Sequence, residues 1–229
     1  MRGVLVVVGD DAGANPVRDA AILAAADAGL LRAASVLAGG PTVETFVAAA
    51  RTRPGLALGL HVQLTEGRPL ADAPAPTLIA ADGAFPVDVG EVGRRDVDGR
   101  LSAADVEREV VAQWRRLEAL GARPAHVDGH HHVHVLPTVA EGVLAALRVV
   151  GARVHVRVPA EGAPPPGVPA IDRPVLPLGT AVLSSARQMQ VRDGHVGLAT
   201  VGTFADRLRA RVRAPLFTTD GFVGFAWSM

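Results

Sequence analysis

The stretch Val4–Gly13, which reads VLVVVGDDAG, decides the fold prediction for this chain. It opens with five apolar, mostly β-branched residues, a pattern typical of a strand buried on both faces of a sheet. Two carboxylates, Asp10 and Asp11, follow at once and would be costly to bury without a use. Because parallel α/β folds build their sites at the carboxyl ends of strands, the stretch predicts a buried strand that delivers both carboxylates to a site. Either aspartate could instead cap the next helix, but Asn15 can take that role.

Strand-like and helix-like segments alternate along most of the chain, which predicts an α/β fold with a mainly parallel sheet. We expect a barrel-like (β/α) arrangement in a single domain over residues 1–229, closed or nearly closed. The expected helices are Val17–Leu31, Pro41–Arg51, Ala103–Leu120, Thr138–Val150, Val182–Val191 and Ala205–Arg211. The expected strands are Val4–Val8, Ser35–Ala38, an apolar run from Leu56 that ends near His61, His126–His134 and Val154–Val158. The Pro- and Gly-rich stretch Pro69–Leu101 has little periodicity and predicts a long connection.

The densest chemistry lies in His126–Pro137, which reads HVDGHHHVHVLP and holds five of the eight histidines of the chain. In an extended strand, side chains alternate between the two faces. A strand here would place four histidines and Asp128 on one face, which is poor core material but a suitable ligand set for a divalent metal. A histidine tract can also be a surface metal scavenger or a tag, but a tag normally lies at a terminus. The sequence therefore favours an internal metal site.

Composition excludes several other functions. The formal net charge is zero and the sequence pI is about 7.1, so nothing indicates a nucleic-acid partner. The chain has no cysteine, so any metal must be held by His, Asp or Glu. All 23 basic residues are arginine, which excludes Schiff-base chemistry on lysine. No apolar run has transmembrane length and the N-terminus reads as a strand rather than a signal peptide, so we expect a cytoplasmic protein without a membrane partner.

Three stretches together resemble the YdjC/ChbG family of carbohydrate deacetylases. They occur in the family's order and spacing over roughly residues 3 to 150. The last third adds weaker family-like features at Arg157–Pro159 and Thr219–Gly224. The three stretches are VVVGDDAG (Val6–Gly13), GLHVQLTEGRPL (Gly59–Leu70) and RPAHVDGHHHVH (Arg123–His134).

The resemblance implies a (β/α) barrel with one divalent metal, magnesium in the family. It implies that Asp11, His61 and His130 are the metal ligands and that Asp10 is the general base. The implied reaction removes the N-acetyl group from an amino sugar such as a chito-oligosaccharide. On ligand type alone, two imidazoles and a carboxylate suit zinc or another transition metal better than magnesium. The expected partner is a small-molecule or oligosaccharide substrate, and a homodimer is the usual default for a soluble assembly.

The sequence departs from the family pattern at three points. Ala12 stands where the family usually has Phe, and Gly129 stands where it has Ser. The family's C-terminal His-Pro-Gly motif, whose histidine is a candidate general acid, is absent, which leaves His132 or His134 for that role. An alternative is therefore a non-catalytic or weakly active relative that binds a metal and a glycan. A phosphoesterase is a third possibility, but no Gly-rich phosphate loop supports it.

Overall fold

The computed structural model describes residues 6–158, residues 211–212 and the backbone of residues 217–218. Its six strands form one sheet in which every neighbouring pair is parallel and the order in space follows the order in the chain. This sequential parallel order is the one found in the wall of a (β/α) barrel, and it confirms the predicted α/β fold. The strands are β1 (Val8–Ala12), β2 (Ala33–Val36), β3 (Ala57–Val62), β4 (His126–Gly129), β5 (His155–Val156) and β6 (Phe217–Thr218).

Helices connect the strands from β1 to β5. They are α1 (Pro16–Asp27), α2 (Val43–Ala50), α3 (Val89–Val97), α4 (Ala103–Ala119) and α5 (Pro137–Val149). The predicted cap of α1 is confirmed, because Asn15 Oδ1 accepts a hydrogen bond of 2.9 Å from the backbone N–H of Arg18. Pro16 follows in the first turn, where its missing N–H costs nothing. The helices α4 and α5 pack side by side, and Gly142 of α5 gives the close approach to Val106 of α4.

The core lies between the sheet and its helices. Leu60 and Val127 are fully buried on β3 and β4, and Phe46 of α2 and Leu117 of α4 are buried on the helix side. These strand and helix faces form one continuous apolar cluster, as the alternation of elements requires. No helix among the described residues is both long and apolar enough to cross a membrane.

The first strand begins later than the sequence predicts. Val6 and Val7 lie outside β1 and are 55% and 46% exposed, so the expectation of a buried strand at Val4–Val8 is wrong for these residues. The carboxylates stay in the strand because its pairing with β2 shifts register between Gly9 and Ala12, and Asp11 takes a φ of 59°. This irregularity turns the chain at the two aspartates, and apolar patterning cannot indicate it.

The stretch Pro69–Leu101 is not a structureless connection. It contains α3, whose start is capped by Asp88 through a hydrogen bond of 2.8 Å from Gly90 N–H to Oδ1. The predicted helix Val182–Val191 and all of Ala205–Arg211 except its last residue lie outside the described residues. The prediction of a single domain over residues 1–229 stays a prediction.

Candidate metal centre

Polar side chains converge at the carboxyl ends of four neighbouring strands. Asp10 and Asp11 come from β1, Ser35 from β2, His61 from β3 and Asp128 from β4. His61 and Asp128 are direct partners in the register of β3 and β4. In a parallel sheet these ends share one edge, so residues far apart in sequence meet there.

Asp11 lies between two imidazoles. Its Oδ1 is 2.6 Å from Nδ1 of His130 and 3.1 Å from Nε2 of His61. Oδ2 accepts a hydrogen bond of 2.6 Å from Arg18, whose side chain is 41% exposed. Burial by itself would raise the pKa of Asp11, but hydrogen bonds from His130 and His61 hold that pKa well below its usual range. The carboxylate is therefore ionised at neutral pH.

His61 is fixed by a second carboxylate. Its Nδ1 donates a hydrogen bond of 2.5 Å to Oδ1 of Asp128, and both side chains are almost completely buried. This contact leaves Nε2 facing Asp11, which is the orientation that a metal-binding histidine takes when a carboxylate holds its other nitrogen. Burial would lower the pKa of His61, but the charge of Asp128 and hydrogen bonds to Asp11 and Asp128 raise it to about 10. A cation bound here would take the place of the proton on Nε2.

Asp128 is the centre of a buried polar network. Its Oδ2 accepts a hydrogen bond of 2.7 Å from Ser35 Oγ and forms a salt bridge of 2.7 Å with Nη2 of Arg157. Because the Ser35 hydroxyl proton is used on Asp128, its oxygen accepts the N–H of His126 Nε2 at 2.9 Å. All of these groups have partners, as a buried ionic network needs.

Arg157 also holds Asp10. Nη1 and Nη2 each donate a hydrogen bond of 2.8 Å to one oxygen of the Asp10 carboxylate, a two-point contact that fixes its plane. One Asp10 oxygen, one His61 nitrogen and one Asp128 oxygen lie within 4.8 Å of one another. Asp10 is thus beside the cluster, is 38% exposed and is available to a molecule in the site.

The predicted strand His126–His134 is wrong beyond Gly129. Residues His130–Val135 form a 3₁₀ turn, with left-handed φ values of 54° at His131 and 56° at His132. Strand alternation therefore does not apply after β4, and the expected single face of histidines does not form. The turn points His130 at Asp11, whereas His134 is 1% exposed and its Nε2 donates to the carbonyl of Arg157 at 2.9 Å.

The three predicted ligands fit a divalent cation. Asp11, His61 and His130 each offer one atom, and these atoms lie within 4.8 Å of one another. Nδ1 is the His130 atom that faces Asp11, whereas Nε2 is buried without a hydrogen-bond partner on the side of the ring that faces Glu66. One carboxylate and two imidazoles leave coordination positions open, as in catalytic sites.

In two other groups of the described residues, one possible ligand atom per residue also lies within 4.8 Å of the others, but these groups suit a cation less well. The set of Asp10, His61 and Asp128 already binds Arg157, whose charge opposes a cation. The set of Glu66, His130 and His131 includes a Glu66 side chain that is 52% exposed and 3.6 Å from His130 Nε2. The set centred on Asp11 is therefore the candidate metal centre.

Sequence reasoning named Asp10, Asp11, His61 and His130, and the structure brings all four to one edge of the sheet. It missed Arg157 and Ser35 as members of the network. For Arg157 a signal existed, because a charged residue inside the predicted apolar strand Val154–Val158 needs a buried partner. The role of Ser35 could not be predicted, because it is only a small polar residue in an apolar run.

Comparison with known proteins identifies the family of this chain. A model of the YdjC-like protein family matches residues 4–229. A human carbohydrate deacetylase is 35% identical over 212 residues, and one from Mus musculus is 41% identical over 162 residues. A chitooligosaccharide deacetylase from Escherichia fergusonii is 31% identical over 140 residues.

These matches cover most of this chain but less of the relatives. They span 86%, 69% and 61% of this chain, and 64%, 51% and 53% of the human, mouse and Escherichia proteins. The chain thus spans between about half and two thirds of the length of these relatives. A crystal structure from Enterococcus faecalis V583, named for a proposed role in cellobiose-phosphate cleavage, superposes with a TM-score of 0.56. That match covers 96% of this chain and 81% of the other at 20% identity, which supports the fold alone.

Proposed function

The chain belongs to the YdjC-like protein family, and from this premise we propose that it is a metal-dependent carbohydrate deacetylase. The proposed reaction hydrolyses the N-acetyl amide of an amino sugar such as a unit of a chito-oligosaccharide. The observation that carries the proposal is the position of the Asp11 carboxylate between Nδ1 of His130 and Nε2 of His61. Relatives named carbohydrate deacetylase and chitooligosaccharide deacetylase support the substrate class.

We propose that Asp11, His61 and His130 hold one divalent cation. Such a cation supplies Lewis-acid polarisation of an amide carbonyl and makes water easier to deprotonate. The resemblance favours magnesium, whereas two imidazole ligands favour zinc or another transition metal. Asp128 keeps the ring of His61 in the orientation that presents Nε2 to the centre.

Asp10 is the proposed general base. Its carboxylate lies close to His61 and is held by both Nη atoms of Arg157. Because this contact fixes the carboxylate without burying it completely, Asp10 can accept a proton from the attacking water. Arg157 also compensates the negative charges of Asp10 and Asp128, which otherwise would repel each other at this distance.

The amine that leaves needs a proton from a general acid. His134 does not suit this role, because it is buried and donates to the Arg157 carbonyl. His132 is the remaining candidate of the two that the sequence offers. Burial and the charge of Arg157 lower the pKa of His132 to about 4, so the ring is mostly neutral at neutral pH without substrate. The negative charge that develops on the oxygen of the acetyl carbonyl during attack by water would raise that pKa again.

The test measures acetate released from N-acetylated chito-oligosaccharides by chelated protein, before and after addition of magnesium, manganese, cobalt, nickel or zinc. We expect release with at least one metal, and a loss of more than about 100-fold in D11N, H61A and H130A. H155A, which changes an exposed histidine on β5, is the matched control and keeps wild-type activity.

The same assay decides the alternatives. No release with any metal and any glycan would reject the deacetylase, and glycan affinity without turnover would favour the metal- and glycan-binding relative. Phosphate released from a phosphomonoester instead would favour the phosphoesterase. A cytoplasmic location, a possible homodimer and the absence of nucleic-acid and membrane partners stay predictions.

A further inference from the structure

One wall of the metal centre is an irregular segment that leaves β3 directly after Val62. We call residues 63–71 the rim segment. In its middle, Thr65 Oγ1 lies 3.0 Å from Nδ1 of His131, and Glu66 Oε2 lies 3.6 Å from Nε2 of His130. Thr65 is fully buried, whereas the Glu66 side chain is 52% exposed. The rim segment therefore borders the site on the side that is open to a substrate.

The near end of the rim segment is bound by Gln113 of α4. The N–H of Gln63 donates to Gln113 Oε1 at 3.0 Å, and Gln113 Nε2 donates to the Gln63 carbonyl at 2.7 Å. A buried side-chain amide thus satisfies both backbone groups of the residue two positions after His61. This contact fixes the direction in which the chain leaves β3.

The far end is bound by Glu109, one helical turn before Gln113. The N–H of Leu70 donates to both Glu109 oxygens at 3.0 Å, and the N–H of Ala71 donates to Oε2 at 2.9 Å. Gln113 Nε2 also donates to Glu109 Oε1 at 2.9 Å. The two side chains therefore form one network on α4 that hydrogen-bonds to the backbone at both ends of the rim segment.

Burying this polar network in the core costs free energy of desolvation. Glu109 is fully buried and its donors are neutral groups, and burial raises the pKa of its carboxyl. An apolar side chain of similar volume would avoid the cost of desolvation. Between the two bound ends, Glu66 has a left-handed φ of 59° and Gly67 has a φ of 77°. A residue such as Glu66 keeps this conformation only when the surrounding structure enforces it. The hydrogen bonds to the buried Glu109 carboxylate thus hold the rim segment in one conformation.

We propose that Glu109 and Gln113 are positioning residues, which lock the rim segment so that Thr65 and Glu66 stand against His131 and His130. Neither side chain touches the candidate ligands, and both act through the backbone of residues 63, 70 and 71. The part of the proposal that concerns substrate rests on the proposed function, whereas the part that concerns the conformation of the rim segment does not.

Helix α4 offers a matched control. Asp105, one turn before Glu109, is 5% exposed and also accepts hydrogen bonds from a loop, from the N–H of Thr77 at 3.0 Å and from its Oγ1 at 2.7 Å. D105N and E109Q thus each neutralise a buried carboxylate of α4, and each of these carboxylates accepts hydrogen bonds from a loop. Only E109Q disturbs the rim segment.

The first measurement is amide hydrogen exchange of the whole chain by mass spectrometry. E109Q is expected to speed exchange in residues 63–71 by about tenfold or more, because hydrogen bonds to a charged acceptor are lost. D105N is expected to speed exchange near Thr77 and to leave residues 63–71 as in the wild type. Unchanged exchange of residues 63–71 in E109Q would overturn the proposal. If E109Q does not fold, Q113A tests the near end in the same way, with the change expected at Gln63.

The second measurement separates KM from kcat for acetate release. E109Q is expected to raise KM by about fivefold or more with kcat changed by less than about twofold, since a displaced wall weakens substrate binding. Its zinc affinity should stay within about threefold of the wild type, because β3 and Asp128 hold His61 independently of the rim segment. An equal rise of KM in D105N would overturn the proposal. If the wild type releases no acetate, the proposed function fails, and the exchange measurement still decides the conformational role.

Discussion

Asp128 and His61 are partners in the parallel register of β4 and β3, and Asp128 Oδ1 accepts a hydrogen bond of 2.5 Å from His61 Nδ1. The contact joins two adjacent strands at the edge where the candidate ligands meet. It also determines which nitrogen of His61 faces Asp11. The geometry of the proposed metal centre therefore depends on a carboxylate that is not itself in the chosen ligand set.

The substitution D128N tests this dependence. An amide in place of the carboxylate removes the charge that orients His61, so we expect zinc or cobalt affinity to fall by about 10- to 100-fold. Calorimetric titration of the metal at two pH values separates two causes of weaker binding. One is a His61 ring that is no longer oriented, and the other is a changed competition between the metal and protons for His61. S35A removes one hydrogen bond to Asp128 without changing its charge and should lower affinity far less. Wild-type affinity in D128N would contradict the prediction.

Asp10 should matter for turnover and not for the metal. In D10N the side chain keeps its size but cannot accept the proton, so kcat for acetate release should fall by about 10²- to 10⁴-fold. Zinc affinity should stay within about threefold of the wild type, because Asp10 is not one of the proposed metal ligands. D88N changes a carboxylate that caps α3 and should leave kcat unchanged. A D10N protein with wild-type kcat would exclude Asp10 as the base.

The fold was predictable to the extent that apolar patterning determines it. Strands and helices alternate as expected, and Asn15 caps α1 as the sequence indicates. The helix α3 was missed because its sequence VGEVGRRDV contains two glycines and follows a Pro-rich stretch. The end of β1 was misplaced because a register irregularity at the aspartates lets the strand continue through polar residues to Ala12.

The site was predictable where a residue type and a strand end coincide. Asp11 and His61 each follow apolar residues in a strand, so both were expected at the same edge of the sheet. The turn at His131 and His132 could not be predicted, because both take left-handed φ values that only the surrounding structure enforces. The contact between Arg157 and Asp10 joins residues 147 positions apart, and no local pattern reports such a pair.

The buried histidine His134 predicts how stability depends on pH. Burial, with the charge of His132, lowers the pKa of His134 from 6.5 to about 3. Between these values the unfolded chain binds a proton that the folded chain does not, so the free energy of unfolding falls as the pH is lowered through this window. In H134Q the amide can still donate to the Arg157 carbonyl but does not titrate.

We therefore expect the free energy of unfolding of H134Q to depend on pH less steeply than that of the wild type. The difference should approach about 1.4 kcal/mol per pH unit below the pKa of an ordinary histidine. Denaturant unfolding of metal-free protein at about pH 4.5 and about pH 7.5 measures it, under two-state conditions. Equal pH dependence in both proteins would show that His134 is not held neutral.

Gly59 is the residue that lets the buried polar network cross β3. A Cβ atom on Gly59 would lie 2.3 Å from Cε1 and Nε2 of His126, so the His126 ring covers β3 at this position and reaches Ser35 on β2. G59A should therefore destabilise the fold by about 1–3 kcal/mol through overpacking. H126A removes the ring, and in the double variant the added methyl group then has room. A double-mutant cycle from denaturant unfolding should give a favourable coupling of about 0.5–3 kcal/mol, whereas additive effects would show that the clash with His126 is not what requires glycine at position 59.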